Sequence, residues 1–275
     1  MSASTRLAQP RSAYAQPWFV LNSSRYAVTA SAHPAVAHFY AFDVAHTAEA
    51  LVAVPDGCVD IIFDCDATAP TARICGTPLQ AQPVTMQRNH HYFGVRFTPG
   101  VIPGFINVLA EELTEHELDL LEATPFARGI FERIVQSQAL GEQISLFTDH
   151  LAPSLMGRTS QVTAMVIEKA LQRRGDIRVQ ELEALSGYTS RTIHRLFSQD
   201  TGMSPKTFCR IIRCQAALDA LGAVRETAYC DLALELGFTD QSHFLRDFKR
   251  LVSATPHEYR RRVEGGGYAG RITFG

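Results

Sequence analysis

The sequence predicts an α+β fold, with a β-rich N-terminal domain that ends in several helices and an all-α C-terminal domain that contains two helix-turn-helix motifs. Three observations lead to this prediction. Strand-like segments are concentrated between residues 35 and 100, helical periodicity follows Gly100, and one helix–turn–helix pattern occurs twice after residue 175. The chain has 275 residues, of which 46% are hydrophobic, so it can form two domains with separate cores.

Strands are predicted from about Ala35 onward. The turn sequence Pro55-Asp56-Gly57 precedes CVDIIFD, which should be a strand because it is rich in β-branched and aromatic residues. Successive strand residues point to opposite faces. One face would carry Val59, Ile61 and Phe63, and the other Cys58, Asp60 and Ile62. Further strands are expected near residues 73–78 and 92–97, and the helices follow.

The segment LGFTDQSHFLRDFKR, residues 236–250, combines an apolar side with a polar one. If Thr239 is the N-cap of a helix, counting at about 100° per residue separates the two sides. Phe244, Leu245, Phe248 and Leu251 fall on the first, and Ser242, Arg246, Lys249 and Arg250 on the second. Residues 231–237 supply a short helix and a glycine turn before it, which completes a helix-turn-helix outline. Taken alone, the segment could equally be a surface helix with a solvated basic face.

The same pattern occurs upstream, and this repetition favours the helix-turn-helix interpretation. Residues 179–185 form the first helix, Thr189 is the expected N-cap of the second, and residues 190–197 form its body. The two turn glycines, Gly187 and Gly237, are 50 residues apart. Between the motifs, Pro205–Leu221 is predicted as one helix about 25 Å long. Such a helix could hold two recognition helices about one DNA turn, or 34 Å, apart.

These motifs resemble those of the AraC/XylS transcription regulators. The matching stretches are LSGYTSRTIHRLFSQDTGMSP, RCQAALDAL, LALELGFTDQSHFLRDFKR and TPHEYRR, in the family's order and spacing. The resemblance implies a seven-helix DNA-binding domain at residues 161–263, whose second helices enter successive major grooves of double-stranded DNA. It also implies a regulator that is not an enzyme and that activates transcription by contacting RNA polymerase. A cytoplasmic location is expected because the sequence has no predicted membrane span and no signal-peptide pattern.

The resemblance assigns ten side chains to DNA contact. Arginine can pair with guanine and glutamine with adenine, while basic groups near the helix end suit phosphate. The ten are Arg191, Thr192, His194, Arg195, Gln241, Ser242, His243, Arg246, Lys249 and Arg250. Two positions depart from the family's pattern. Glu183 replaces a small residue at the first helix crossing, which is expected to loosen the first motif, and Ser253 replaces a glycine.

The N-terminal half resembles, more distantly, a domain found attached to such DNA-binding domains, and also the cupin-type sensor domains of the family. PDGCVDIIFD, CGTP, GVRFTPG and AEELTEHELDLLE carry this resemblance. It implies a cupin-like sensor or dimerisation domain at residues 34–152. An N-terminal extension (1–33), a linker (153–160) and a C-terminal tail (264–275) complete the expected domain organisation.

Asp60 and Arg96 each interrupt a predicted apolar strand. A charge buried in a sheet must be paired, or must face a ligand or water. One hypothesis is that these residues line a cavity for a small-molecule effector, with Tyr40, Phe42 and Arg73 as neighbours. The alternative is a structural ion pair or a position at the mouth of a barrel.

The charge distribution fits a DNA-binding half joined to a different domain. From Met156 onward there are 18 lysines and arginines against 13 acidic residues, whereas the preceding part has 8 against 15. No window of about 18 apolar residues predicts a membrane span, and the N-terminus lacks the apolar region of a signal peptide. The six cysteines have no metal-binding spacing and should be reduced, and the neighbouring His90 and His91 should point in opposite directions.

We therefore predict a sequence-specific transcription activator that binds double-stranded DNA, forms a homodimer, contacts RNA polymerase and responds to an unknown small-molecule effector, without a cofactor or a metal. Two alternatives stay open. The N-terminal domain could serve only to dimerise the protein, or a nucleophilic cysteine could make the chain an alkyl-transfer repair protein.

Overall fold

The computed structural model of the protein describes residues 16–45, 51–151, 154–155, 159–221 and 229–275. Within them, a seven-stranded sheet forms the centre of the N-terminal domain, and a group of helices forms the C-terminal domain. This arrangement confirms the predicted fold class. Among the described residues, no helix has the length and apolar character needed to cross a membrane.

The N-terminal domain alternates short helices with strands. In chain order its elements are α1 (Pro17–Leu21), β1 (Ser23–Ala30), β2 (Val36–Val44), β3 (Leu51–Ala53), β4 (Asp60–Asp64), β5 (Thr71–Cys75), β6 (Gln82–Val84), β7 (His91–Phe97), α2 (Ala110–Leu113), β8 (Glu117–Asp119), α3 (Leu120–Ala123), α4 (Arg128–Gln136) and α5 (Leu140–Leu151). The large sheet has the order β8-β5-β4-β7-β2-β1-β9, where β9 is Ile272–Phe274, and β3 pairs with β6 separately. All pairs are antiparallel except β1 with β9.

The two faces of the large sheet bury different side chains. Ile61 and Phe63 of β4 pack with α4 and α5 in the main core, whereas Ile62 turns to the opposite face. The alternation predicted for β4 is therefore confirmed. On the opposite face lies a cluster of aromatic side chains from α1, β1, β2 and β7: Phe19, Tyr26, Tyr40, Phe42 and Tyr92. This second face carries the cavity described below.

The C-terminal domain contains both predicted helix-turn-helix motifs. Its helices are α6 (Gln161–Gln172), α7 (Val179–Ser186), α8 (Ser190–Thr201), α9 (Pro205–Leu221), α10 (Tyr229–Glu235), α11 (Gln241–Val252), α12 (Pro256–Gly265) and α13 (Tyr268–Arg271). The first motif is α7–α8 and the second is α10–α11, and the 17 residues of α9 connect them as predicted. The turn residues Gly187 and Gly237 have φ of 73° and 75°, a left-handed conformation that glycine adopts without steric cost.

The helix caps agree with the prediction in the first motif and correct it in the second. Thr189 accepts a hydrogen bond from the Thr192 amide and so caps α8. The cap of α11 is Asp240 rather than Thr239, because the Asp240 carboxylate accepts from the His243 amide over 2.8 Å. A carboxylate is also the better acceptor at the positive end of a helix dipole.

The two departures from the family's pattern have clear structural consequences. Glu183 does not loosen the first motif, because its carboxylate accepts a hydrogen bond from the Ser190 amide over 2.6 Å and so joins α7 to the start of α8. Ser253, which ends α11, has φ of 60°, in the left-handed region where a glycine would be unstrained.

The sheet extends beyond its predicted limits at both ends of the chain. Strand β1 precedes Ala35, the expected start of the strands, and β9 lies within the expected C-terminal tail. Residues 1–15, 152–153 and 156–158, which include part of the predicted linker, lie outside the described residues. The domain boundaries themselves stay a prediction.

Candidate DNA-binding surface and ligand cavity

The recognition helices α8 and α11 bury one side and expose the other. Ile193 and Phe197 anchor α8 in the first motif's core, and Phe244 and Phe248 anchor α11 in the second. The ten predicted DNA-contact residues all lie on these two helices. Arg191, His194, Arg195, Gln241, Ser242, Arg246, Lys249 and Arg250 are exposed, whereas Thr192 and His243 are half-buried. DNA contact by these side chains stays a prediction.

Some of these side chains already have partners within their own helix or in the turn before it. The Arg195 guanidinium donates to the Gln199 side chain over 2.9 Å. His243 is the most engaged, since Nδ1 lies 3.0 Å from the Thr239 hydroxyl and Nε2 lies 3.5 Å from Asp247. His243 therefore stabilises the start of α11, and it is less available to a base edge than its neighbours Gln241 and Ser242.

A cleft of about 620 Å³ lies between the two motifs, and the sequence analysis missed it. Its wall includes Lys206 and Arg210 of α9, which are four residues apart and so share one helix face. Arg213 closes the cleft as a structural residue, donating to the carbonyl groups of Gly175 and Gly237 over 2.9 Å each. Lys206, Arg210 and Arg213 follow one another at intervals of four and three residues in α9. This spacing places them on one helix face, so the sequence could have predicted a basic face here.

Helix α1 lies against the second motif rather than against its own sheet alone. The Trp18 indole donates to the Val252 carbonyl over 2.9 Å and meets the Tyr259 ring edge to face, with the centroids 6.0 Å apart. The Arg262 guanidinium covers the Trp18 ring at 5.3 Å. A backbone bond from Ala81 to the carbonyl at the end of α11 adds a second contact between the domains.

A cavity of about 450 Å³ opens on the aromatic face of the large sheet. Four of the five residues predicted for an effector cavity line it: Tyr40, Asp60, Arg73 and Arg96. Phe42 does not line it and corrects the prediction, because its fully buried ring is stacked on Tyr92 at 5.1 Å. Gln16, Tyr26 and Asp56 also line the cavity and were missed.

Arg96 is the centre of a buried ionic network in the cavity wall. Its guanidinium bonds to both carboxylate oxygens of Asp60 and lies 3.1 Å from Asp56. Burial opposes the charge on Arg96, but the two carboxylates outweigh it and hold its pKa well above the ordinary value. Burial also raises the pKa of the Asp56 carboxyl. Asp60 and Arg96 therefore form an ion pair and also line the cavity, so the two alternatives posed for them hold together. Effector binding stays a prediction.

The Tyr40 ring lies directly over Gly94, its cross-strand neighbour on β7. A β-carbon at Gly94 would collide with this ring, so glycine is required for the tyrosine to lie flat against the cavity wall. The sequence contains this glycine in the middle of an apolar strand, which is a signal for close approach.

Five of the six cysteines do not have the environment of a nucleophile. Burial raises the pKa of five thiols: Cys58, Cys65, Cys75, Cys209 and Cys214. The sixth, Cys230, is exposed. Alkyl transfer requires a lowered thiol pKa, so these five cysteines do not favour the repair-protein alternative. His90 and His91 have separate partners, Asp64 and Asp43, which agrees with their predicted opposite orientation.

Comparison with known proteins supports the assignment of both domains. Residues 162–262 match the helix-turn-helix domain family, and residues 25–119 match a domain of unknown function, DUF6597. The chain is 30% identical over 96 residues to the probable transcription factor PqrA of Proteus vulgaris, covering 34% of this chain and 76% of PqrA. It is 30% identical over 92 residues to an uncharacterized HTH-type transcriptional regulator of Haemophilus influenzae, covering 34% of this chain.

The match spans only 30% of the length of the Haemophilus protein. Among solved structures, a probable AraC family transcriptional regulator from Rhodopseudomonas palustris is 32% identical, covers 38% of this chain and 97% of its own, and has a TM-score of 0.34. With two helix-turn-helix motifs in the order and spacing described and with most of PqrA covered, the protein belongs to the AraC-type helix-turn-helix transcription regulators.

Proposed function

We propose that the protein binds a specific double-stranded DNA site through both motifs and that a small molecule in the N-terminal cavity controls this binding. The observation that carries the first part is the pair of exposed polar helix faces, on α8 and α11, joined by α9. Arg195 and Arg246 suit guanine, and Gln241 suits adenine. Two helices joined in this way can enter successive major grooves on one side of a duplex.

The cleft between the motifs suits the DNA backbone that separates two major grooves. Lys206 and Arg210 line it, together with Arg178 at the start of the first motif. Contacts to phosphate fix the position of a protein on DNA without reading its sequence. We therefore assign positioning to the cleft and base recognition to the recognition helices.

Control by a ligand is supported by a continuous set of contacts from the cavity to the second motif. Arg96 contacts Asp56, and the Asp56 carboxylate accepts a hydrogen bond from the side-chain amide (Nε2) of Gln16 over 2.8 Å. Gln16 immediately precedes α1, whose Trp18 bonds to the end of α11. A ligand that binds better when this network is rearranged would shift α1 on the second motif, and only such differential binding changes the population of the DNA-binding form.

We further propose that the protein acts in the cytoplasm as a homodimer and activates transcription by contacting RNA polymerase. Exposed leucines near the turn of each motif support the last point, since Leu185 and Leu234 are 56% and 58% exposed. Apolar side chains at the surface of a folded domain are suited to a protein partner. Transcription with purified polymerase, with and without Leu234→Ser, tests this contact.

Selection of binding sites from random DNA, followed by footprinting of the selected site, tests DNA recognition. We expect protection over two adjacent major grooves, and Arg195→Ala and Arg246→Ala should each weaken specific binding by roughly 5- to 150-fold. Arg128→Ala, an exposed arginine on α4, is the matched control and should bind normally. A single protected groove, or two arginine variants with wild-type affinity, contradicts the proposal.

The contact route from the cavity to the second motif has its own test. Gln16→Ala removes the amide that joins Asp56 to α1, so it should change the DNA affinity of the full chain even without ligand. Gln172→Ala, at an exposed position on α6, should leave this affinity unaltered. If wild type and Gln16→Ala bind DNA with equal affinity, the contacts that lead from the cavity to the second motif do not influence DNA binding.

A further inference from the structure

The cavity contains more acidic than basic groups. Four carboxylates line it, those of Asp56, Asp60, Glu115 and Glu117, against the two guanidinium groups of Arg73 and Arg96. His116 also lines the cavity, and it is exposed, as are Glu115 and Glu117. Even if the Asp56 carboxyl is protonated, as its burial favours, the acidic groups remain in excess. The cavity therefore repels an anion and attracts a cation.

Both cationic groups are already neutralised by the protein. Arg96 bonds to the two oxygens of Asp60 and contacts Asp56, and the Arg73 guanidinium donates to Glu117 over 2.8 Å. A carboxylate or phosphate on a ligand would have to displace one of these acidic partners. At Arg96 the displaced carboxylate is buried, and leaving it without its cation costs about 3–5 kcal/mol, so an anionic ligand is disfavoured there. The Arg73–Glu117 pair is partly exposed, and breaking it costs less than about 1 kcal/mol.

Two tyrosines in the wall offer hydroxyl groups to the cavity. Tyr26 and Tyr40 are 5% and 3% exposed and line the cavity, and neither hydroxyl has a hydrogen-bond partner among the residues that the structure describes. A ligand with a hydrogen-bonding group can therefore bond to these hydroxyls without displacing a protein partner.

The same tyrosines provide an aromatic surface. Their rings are parallel, with the centroids 6.0 Å apart and an angle of 4° between the planes, and Phe19 also lines the cavity. Aromatic rings attract cations through their negative faces and pack against apolar groups. The Arg96 guanidinium already lies over the Tyr40 ring, 5.6 Å from its centroid, so this wall is suited to the apolar body of an amphipathic molecule.

We infer that the cavity binds an organic cation, a primary amine that carries a short apolar or aromatic body. This inference rests on the proposed function, in which the cavity is a ligand site. The ammonium group donates hydrogen bonds to the hydroxyl oxygens of Tyr26 and Tyr40, and the excess carboxylates supply the opposite charge. The body packs on the aromatic wall, within a volume typical of small-molecule sites.

Three probes that share a phenyl group and a two-carbon chain separate the contribution of charge: 2-phenylethylamine, 2-phenylethanol and 3-phenylpropionate. Titration calorimetry on the full chain at neutral pH should show the amine binding most tightly and the acid at least about tenfold more weakly. The alcohol should lie between them. The three bodies are alike, so the difference reports the head group.

Tyrosine variants test the position of the amine. Tyr26→Phe and Tyr40→Phe remove hydroxyls that no described residue contacts by a hydrogen bond, so both variants should fold normally, and each should bind 2-phenylethylamine about fivefold more weakly. Tyr92→Phe is the matched control. Its hydroxyl is also in the aromatic cluster, but it accepts a hydrogen bond from the Gln87 amide and does not line the cavity.

The inference is overturned if the acid binds as tightly as the amine, if the amine does not bind, or if both tyrosine variants retain wild-type affinity for it. These results leave the DNA-binding proposal intact, because footprinting and the Arg246→Ala variant use no probe. The proposed control of DNA binding by the cavity has a separate test, and it is refuted if Gln16→Ala leaves the DNA affinity of the full chain unchanged.

Discussion

Arg96 lies directly opposite Asp60 on adjacent antiparallel strands, and its guanidinium donates from Nε to Oδ1 over 2.9 Å and from Nη2 to Oδ2 over 2.5 Å. This two-point contact explains how charged residues can interrupt two apolar strands. The third nitrogen, Nη1, lies 3.1 Å from Asp56 in the turn before β4. Arg96 thus connects the sheet, the cavity and the turn that contacts α1.

We predict that Arg96→Met strongly destabilises the N-terminal domain. The substitution leaves two buried carboxylates without their cation, and breaking a buried pair in this way costs about 3–5 kcal/mol. Chemical and thermal unfolding measure the loss. Arg73→Met is the control, because its pair with Glu117 is 29% and 40% exposed and should contribute less than about 1 kcal/mol. Similar losses in the two variants would show that the Arg96 network is not the stabilising feature.

Lys249 should contribute to DNA affinity through phosphate alone. It is exposed in the last turn of α11, beyond the residues suited to base edges. Lys249→Ala should weaken binding to all sequences alike and reduce the slope of log affinity against log salt by about 1. Lys169→Ala on α6, which contacts Glu168, is the control and should keep the wild-type slope. A sequence-dependent loss in Lys249→Ala would instead assign this lysine to base recognition.

Ser253→Gly should stabilise the protein. Ser253 ends α11 with φ of 60°, and a left-handed conformation costs a residue with a side chain roughly 1–2 kcal/mol relative to glycine. The melting temperature should therefore rise. Ser145→Gly, at an exposed position inside α5, has the opposite expectation because glycine is a weaker helix former than serine, by roughly 0.5 kcal/mol. If the melting temperature falls for both variants, the left-handed conformation of Ser253 does not destabilise the protein.

His38 should make the protein sensitive to acid. Burial and, to a smaller extent, the neighbouring Arg96 lower the pKa of His38 from 6.5 to about 3. Between these values the unfolded chain binds a proton that the folded protein does not, so the stability contribution falls as pH decreases through this range. His38→Gln should lose less stability than wild type between about pH 6.5 and pH 4.

The measurement for His38 is the melting temperature as a function of pH. His194→Gln, at an exposed position on α8, should follow the wild-type curve. If the His38→Gln and wild-type curves run parallel across the acidic range, protonation of His38 is not linked to folding.

The helical domain was predicted more completely than the sheet, because its signals are local. Periodic apolar residues, a glycine in each turn and a capping residue define each motif within about twenty residues of sequence. The one misplaced cap, Thr239 for Asp240, involves two adjacent residues that both favour this position, and only the geometry of the carboxylate decides between them.

The sheet and the cavity depend on partners that are distant in sequence. Strand β1 carries exposed polar residues, and the short edge strand β9 pairs with it from the other end of the described chain, so neither has a strong local signal. Asp60 and Arg96 were predicted because charges in apolar strands are conspicuous. Asp56 was taken only as a turn residue, and Gln16 was not considered, because their roles appear only when the turn, α1 and β7 come together.

The pairing of β9 with β1 has a mechanical consequence for the whole molecule. The chain leaves the N-terminal core after Leu151 and Leu155 and returns to the same sheet at Ile272. The helical domain is therefore joined to the sheet domain where the chain enters it and again through β9, in addition to the hydrogen bonds that Trp18 and Ala81 make with α11. A reorientation of the recognition helices that keeps β9 paired must therefore alter the Trp18 and Ala81 contacts, whereas detachment of β9 would remove one of these restraints.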